Sequence, residues 1–456
     1  MAGFTPTRLA GRRRIPVAMT IAGSDSGGGA GIEADLKTFS ALGVHGTAAI
    51  TSVTAQNTLT VSAVHDLPGW MVYEQIRVVH EDIGVDAAKT GMLSNAEIIA
   101  SVARAVEDFN IRLVVDPVMV AKSGARLLRE DAVDALKNQL LPLALAVTPN
   151  AFEAEILAGF KVESVEDAVK AAETIHEKYG VPAVIVKGGH LKHEEVVDVL
   201  YYKGELHYFR SQRFPHGCFH GAGCAFSAAI AAFLAKGYGV VEAVKAAKNF
   251  IDLAIDYGVK IGKGHCPVNP SAFIEIPALK YRALESVRHA IEDLLEKQEA
   301  VLPYTPREGI SISEAINPLY ARSVDDVAGV EGGVVEAGGR LVRTGDVKPG
   351  GSPRLATLLL ALRRAGCEVG AAVSVRYAPE VVEAASRRGF KTLFVEPGEG
   401  FEGLIERVAS QIPAGRDAPD LICCPRGVSG EGLIVVLAES AVEAVGKLLA
   451  ILGETG

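Results

Sequence analysis

The chain has 456 residues, 49% of them hydrophobic and 22% charged, with a formal net charge of −9. That length accommodates two or three domains, and the composition is that of an ordinary globular protein. The negative balance excludes a protein held to nucleic acid by bulk electrostatics, and no apolar run is uninterrupted enough to cross a membrane. Six cysteines without a C-x-x-C pair point to a reducing, cytoplasmic compartment and argue against structural zinc. Arg12–Arg14 before an apolar run has the outline of a secretory signal. The run is short, contains Pro16 and leads to Asp25 and a glycine loop, so a basic tail over 1–14 and then a first strand is the expectation.

In chain order, Val17–Ala22 reads as a buried strand that ends in Gly23 and the loop SDSGGGAG. Ile32–Leu42 follows as a helix with Asp35 one turn in. Glycines between strand and helix let a ligand approach the backbone, but the spacing is neither that of a P-loop nor a convincing dinucleotide fingerprint. Gly46–Thr54 is expected to be one strand delivering Gln56, whose amide both donates and accepts and so matches an aminated heteroaromatic ring. Met71–His80 reads as helix, and Ala87–Gly91 as a strand tip before Met92. Arg112–Val115 then leads to Asp116, with a helix within Arg129–Leu140. Ala144–Val147 leads to Asn150 and Glu153, and Ala183–Val186 to Lys187. This alternation predicts a mostly parallel sheet covered on both faces, an α/β fold. Asp116, Asn150, Glu153 and Lys187 fall at strand carboxyl ends, the rim where such sheets bind ligands. Oxygen donors with one lysine suit a Mg²⁺-nucleotide. Each alone reads equally as a turn residue or a helix cap.

The stretch HGAGCAFSAAIAAFLAKG, His220–Gly237, predicts a helix buried on every face. Gly221 and Gly223 leave N–H groups bare at its positive end, a cradle for a transferring phosphoryl group. Cys224 lies where that dipole lowers a thiol's pKa, which makes it a candidate proton acceptor. A glycine turn with an inert core cysteine explains the same residues.

Residues 15–276 resemble the hydroxymethylpyrimidine/phosphomethylpyrimidine kinases of the ribokinase-like superfamily. The segments TIAGSDSGGGAGIEADLKTFSALG, AAITSVTAQNT, DPVMVAKSG, TPNAFEAE, VIVKGGH, HGAGCAFSAAIAA and GKGHCPVNP carry the resemblance. It implies two successive phosphorylations of an aminopyrimidine by Mg-ATP. It further implies a pyrimidine pocket of Gly23, Asp35, Gln56 and Met92. Asp116, Asn150 and Lys187 would serve the nucleotide, Glu153 the metal, Gly221 and Gly223 the anion hole, and Cys224 the base. Sugar kinases of the superfamily usually place Asp at the last position. Ala222 stands where these kinases often have Thr, a change that keeps the backbone N–H. A pyridoxal-type kinase and a binding protein without catalysis are the rivals, and the intact Asp35, Gln56 and Cys224 set argues against both.

Beyond Pro270 the pattern changes. Residues 277–306 are expected to be a linker with a connecting helix over Tyr281–Val301, bounded by Pro277, Pro303 and Pro306. Residues 307–456 form a second, smaller α/β domain. Its strand-like runs are Gly333–Glu336, Glu368–Val375, Thr392–Val395 and Leu433–Val436; its helices are Leu355–Arg364, Glu380–Arg388 and Ala441–Leu452. Through ARSVDDVAGVEGGVV, KPGGSPRLA and AVSVRYAPEVVEAASRRGF it resembles archaeal-type thiamine-phosphate synthase domains, which join the pyrimidine diphosphate to a thiazole phosphate. Arg376 is the residue carried over as a phosphate clamp. Arg354 stands where that family commonly has histidine, and all eleven histidines lie at or before His289, so no imidazole serves this domain. Two readings stay open for it: a second enzyme, or a module that senses thiamine phosphates. The partners expected are the small-molecule substrates, further copies of the chain, and neither nucleic acid nor membrane.

Overall fold

The computed structural model describes residues 15–119, 130–191, 193–215, 217–396, 400–412, 418–426 and 430–455. The expected tail 1–14 and the Val120–Gly124 part of DPVMVAKSG lie outside them. The chain divides into a unit ending at Phe273 and a second beginning at Ile274.

The strands of the first unit are β1 (Val17–Ala22), β2 (His45–Ile50), β3 (Ser52–Gln56), β4 (Val61–Asp66), β5 (Ala87–Thr90), β6 (Leu113–Val115), β7 (Ala146–Val147), β8 (Ala183–Val186), β9 (Val196–Tyr202) and β10 (Glu205–Ser211). Its helices are α1 (Gly31–Ala41), α2 (Gly69–Asp82), α3 (Ala96–Phe109), α4 (Glu130–Ala135), α5 (Ala151–Ala158), α6 (Val165–Tyr179), α7 (Ala222–Ala235) and α8 (Val240–Asp256). One sheet runs in the order β10-β9-β8-β7-β6-β5-β1-β2, parallel from β2 to β8, with β9 and β10 antiparallel at one edge. All six residues of β1 are buried because helices cover both faces. Met19 and Ile21 join the core on one face, with residues of α2, α3, α5 and α6. Ala18 faces the other, with Phe39 and the helices α7 and α8. Alanines line α7, so it lies close against the sheet. This is the expected ribokinase-like arrangement, and its strand order reverses between β1 and β5, which fixes the ligand crevice at their carboxyl ends.

Three expectations need correction. The single strand over Gly46–Thr54 is two: the chain leaves the sheet at Thr51, and β3 pairs with β4 in a separate two-stranded sheet. Between Gly46 and Ser52 the segment holds no turn residue, so the β-propensity of TAAIT conceals the bend. The strand over Ala144–Val147 shrinks to Ala146–Val147, because a π turn over Leu136–Leu140 and a 3₁₀ turn over Leu141–Leu143 bring the chain in. The cysteines are not all thiols: Cys218 and Cys266 form a disulfide, while Cys224, Cys367, Cys423 and Cys424 are free.

The second unit opens with α9 (Ala272–Glu296), whose first turn crosses the division, and α10 (Gln298–Val301). Pro277 lies inside α9 rather than bounding a linker, forfeiting one backbone hydrogen bond. Then come β11 (Ile312–Ala315), β12 (Val327–Val330), β13 (Val334–Ala337), β14 (Arg340–Arg343), β15 (Val347–Pro349), β16 (Ala371–Arg376), β17 (Thr392–Phe394), β18 (Leu421–Cys424) and β19 (Leu433–Ala438). Between and after them lie α11 (Pro353–Arg364), α12 (Pro379–Arg387), α13 (Gly400–Gln411) and α14 (Ala441–Leu452). Seven strands form a largely antiparallel sheet, β15-β12-β11-β16-β19-β18-β17, in which only β17 and β18 pair in parallel. Leucines of α11 pack on it in a core of their own. Among the described residues no helix is long and apolar enough to cross a membrane.

Candidate active site

A cavity of about 1070 Å³ opens at the carboxyl ends of β1, β5, β6 and β8. Gly23 and Met92, which follow β1 and β5, line it together with Gln56 at the end of β3. Ser26 fixes the Gln56 backbone at both ends, its hydroxyl accepting from Gln56 N and donating to Gln56 O, each at 2.8 Å. Asp116, Asn150, Glu153 and Lys187 line the same cavity, as do Gly221, Gly223 and Cys224. Six separate strand tips, those of β1, β3, β5, β6, β7 and β8, thus converge with the head of α7.

Each side chain is held by local chemistry. Asn150 and Glu153 form a capping box at α5: Asn150 Oδ1 accepts from Glu153 N at 2.9 Å, and a Glu153 carboxylate oxygen accepts from Asn150 N at 2.9 Å. The cap therefore fixes a carboxylate that is only 4% exposed. Burial pushes Glu153 up to about 7, Lys187 works against that rise, and Asp116 adds to it. Lys187 donates to Asp116 at 2.8 Å, and Thr148 and Ser227 also direct hydroxyls at that carboxylate. Burial opposes the Lys187 ammonium, but Asp116 and Glu153 outweigh it and keep the lysine charged.

No side chain caps α7, and Gly221 occupies its N-cap with φ of 78°. A Cβ there would lie 1.9 Å from the Gly29 carbonyl oxygen, so only glycine lets the two loops meet. The loops are further tied by Asp25. Its carboxylate accepts from Gly27, Gly29 and Ala30 N–H groups and meets His220 Nε2 at 3.0 Å. Burial raises Asp25, but His220 and the backbone donors prevail and hold it below the usual carboxylate range. Sequence reading missed this pair; the position of His220 just before Gly221 and Gly223 was its one signal.

Cys224 departs from expectation. Burial pushes the thiol up to about 11, against the pull of Lys89 and with Asp35 and Asp116 adding to the rise. Desolvation exceeds the helix dipole here. Asp35, expected in the pyrimidine pocket, is fully buried and absent from the cavity wall, bonded instead to Lys89 at 2.9 Å and Thr20 at 2.6 Å.

A nucleotide-bound Mg²⁺ usually takes one or two protein carboxylates and fills its shell from phosphates and water. Glu153 and Asp116 fit that need: both are buried, both line the cavity, and Lys187 is bonded to Asp116 and lowers Glu153 electrostatically.

In the second unit Arg376 ends β16 and donates to the Pro303 carbonyl. Arg354, in the first turn of α11, pairs with Glu308, and its guanidinium lies 5.9 Å from the centre of the Phe401 ring.

Residues 25–269 match the family described as Phosphomethylpyrimidine kinase, and residues 286–450 match Thiamine-phosphate synthase ThiN. The hydroxymethylpyrimidine/phosphomethylpyrimidine kinase of Bacillus subtilis is 47% identical over 260 residues, covering 56% of this chain and 95% of that protein. The thiamine biosynthesis bifunctional protein ThiED of Geobacter sulfurreducens is 46% identical over 270 residues, covering 58% of this chain and 55% of that protein. Among solved structures, an ADP complex of Bacillus subtilis pyridoxal kinase superposes with a TM-score of 0.53 at 41% identity, over 57% of this chain and 98% of that one. With more than half its length matched, the chain belongs to the phosphomethylpyrimidine kinase family and carries a thiamine-phosphate synthase domain behind the kinase.

Proposed function

We propose that the first unit phosphorylates the hydroxymethyl group of 4-amino-5-hydroxymethyl-2-methylpyrimidine, and then its monophosphate, with Mg-ATP in the cytoplasm. The second unit then joins that diphosphate to thiazole phosphate, giving thiamine phosphate and pyrophosphate. The observation that carries the kinase reading is the convergence of Gln56 and Met92, the Asp116–Lys187–Glu153 cluster and the head of α7 on one cavity.

Gln56 orients the pyrimidine, and Asn150 and Lys187 hold the nucleotide phosphates. Glu153 and Asp116 would hold Mg²⁺, which neutralises phosphate charge when bound. N–H groups at Gly221 and Gly223 receive the equatorial oxygens of the moving phosphoryl group. The substrate oxygen gains the phosphoryl group as the bond to the leaving diphosphate breaks, and its proton passes to Cys224 as thiolate. Several copies of the chain assembling together is part of this reading: Val53, Leu59 and Trp70 are 49%, 56% and 64% exposed on and beside the β3–β4 hairpin.

For the second unit, a sensor of thiamine phosphates is the competing reading, favoured by the absence of histidine after His289. Loss of pyrophosphate from a stabilised pyrimidine cation needs positioning and positive charge more than a proton acceptor, and Arg354 and Arg376 supply the charge. The test is a time course with the full chain, pyrimidine alcohol, Mg-ATP and thiazole phosphate. Accumulation of the diphosphate with no thiamine phosphate at any pH defeats the synthase reading, and no phosphorylation at all defeats the kinase.

A further inference from the structure

The loop from Asp25 to Gly31 has the glycines of an anion nest, yet the anion it holds is its own. The Asp25 carboxylate accepts from the Gly27, Gly29 and Ala30 N–H groups at 2.9, 3.2 and 2.8 Å. Gly28 N donates to the Asp25 carbonyl at 2.7 Å. With those N–H groups taken, this loop is no phosphate cradle. The oxygen that serves Gly29 and Ala30, Asp25 Oδ2, also lies 3.0 Å from His220 Nε2. Both residues line the cavity, with the Asp25 side chain 2% and the His220 side chain 12% exposed. Burial works against the Asp25 charge, but His220 and the loop N–H groups keep the carboxylate ionised. An ionised carboxylate only accepts, so His220 directs Nε2–H at it.

We propose that His220 is a positioning residue of the kinase reaction: by holding Asp25 through Nε2 it seats the glycine loop against Gly221 and so fixes the α7 N–H groups that receive the moving phosphoryl group. This rests on the first unit acting as the kinase. The backbone of His220 is placed without help from its ring: His220 N donates to the Cys266 carbonyl and Val268 N to the His220 carbonyl, each at 3.1 Å. What the ring adds is a stop for the glycine loop. A Cβ on Gly29 would lie 2.3 Å from His220 Cδ2 and 3.3 Å from Pro267 Cβ, so the chain at Gly29 passes between the two. The Gly29 carbonyl oxygen is in turn the atom that a Cβ on Gly221 would meet at 1.9 Å. Ring, Gly29 and Gly221 thus form one line of contact that ends at the N-cap of α7. The nucleotide residues are held by other partners, Asn150 by Glu153 and Lys187 by Asp116. Loss of the ring therefore reaches turnover and spares ATP affinity, which loss of a purely structural contact would not do selectively.

The experiment compares His220→Ala, His220→Gln and His220→Asn in the full chain, with kcat measured on pyrimidine alcohol and Mg-ATP and ATP affinity measured by calorimetry. His220→Ala is expected to lower kcat about 10²-fold, the scale for misplaced reacting groups, while the Kd for ATP stays within about twofold. A glutamine amide nitrogen reaches to where Nε2 lies, whereas an asparagine amide reaches only to the place of Nδ1 and falls short of Asp25. His220→Gln is therefore expected to recover about tenfold in kcat over His220→Ala, the worth of a restored hydrogen bond to a charged group, and His220→Asn to recover none. Adding His220→Ala to Asp25→Asn should lower kcat no further, because the two side chains act as one unit. An unchanged kcat in His220→Ala, ATP affinity falling in step with kcat, a glutamine variant no better than the asparagine one, or losses that multiply in the double variant each overturn the proposal. If His220→Ala does not fold, the comparison of glutamine with asparagine decides by the same criterion. A wild type that phosphorylates nothing defeats the kinase reading and the proposal together; an active wild type with any of the overturning patterns defeats the proposal alone.

Discussion

The two units hold their cations in opposite ways. In the kinase unit Lys187 is paired with Asp116 and acts on the Glu153 carboxyl, and Lys89 is sealed against Asp35, so the charges are assembled before any ligand arrives. In the synthase unit Arg354 and Arg376 are bonded to Glu308 and to the Pro303 carbonyl, partners that a phosphate bound there would displace. Preassembly in low dielectric costs the free protein stability and strengthens each contact with the ligand. Arginines at the surface cost little and give less.

Removing the thiol tests the buried side of that contrast most strongly. Cys224→Ala is expected to lower kinase turnover by 10²- to 10⁴-fold, the range for a general base, with ATP affinity held in calorimetry. In the wild type, kcat/KM should climb about tenfold per pH unit below the thiol's value of about 11, and that limb should vanish in the variant.

Glu153→Gln separates stability from activity. The folded carboxyl sits at about 7 against an ordinary 4.5, so its stabilising contribution is complete below pH 4.5 and is lost as pH rises through 7. Without metal, the variant should be more stable than wild type by up to about 3 kcal/mol at pH 8, and the gain should disappear near pH 4. Thermal unfolding at the two pH values checks this, alongside a fall in kinase rate. Gln56→Leu should weaken pyrimidine binding by about 2 kcal/mol and leave ATP unchanged by calorimetry. Arg376→Ala should be mildest, weakening thiamine phosphate binding to the full chain by about 1 kcal/mol, because a surface arginine trades one partner for another. A loss as large as that at Gln56 would make the two units alike.

Much of the kinase site is legible in the residues because glycine turns and polar strand tips are local features. Gly23, Asp116, Asn150, Lys187 and Gly221 each announce themselves within a few neighbours. What sequence could not reveal is long-range or concealed by burial. Asp25 meets His220 across 195 positions, and Lys89 meets Asp35 across 54. The depth of Asp35 was invisible too, since a polar residue one turn into a helix looks the same on the cavity wall as away from it. The thiol's direction failed for the same reason: a dipole is readable from helix position, and desolvation is not.

The bond between Cys218 and Cys266 closes a ring across 48 positions, and both α7 and α8 lie inside it. On loop entropy such a closure raises stability by about 4 kcal/mol. Its attachment points are tied to the cavity wall: His220 N donates to the Cys266 carbonyl, and His265 N donates to Thr58 O, two residues beyond Gln56. A protease that nicks the backbone inside the ring therefore releases nothing. The two pieces stay joined until a thiol reductant is added, and the segments carrying α7 and α8 remain tethered even when the chain inside the ring is cut.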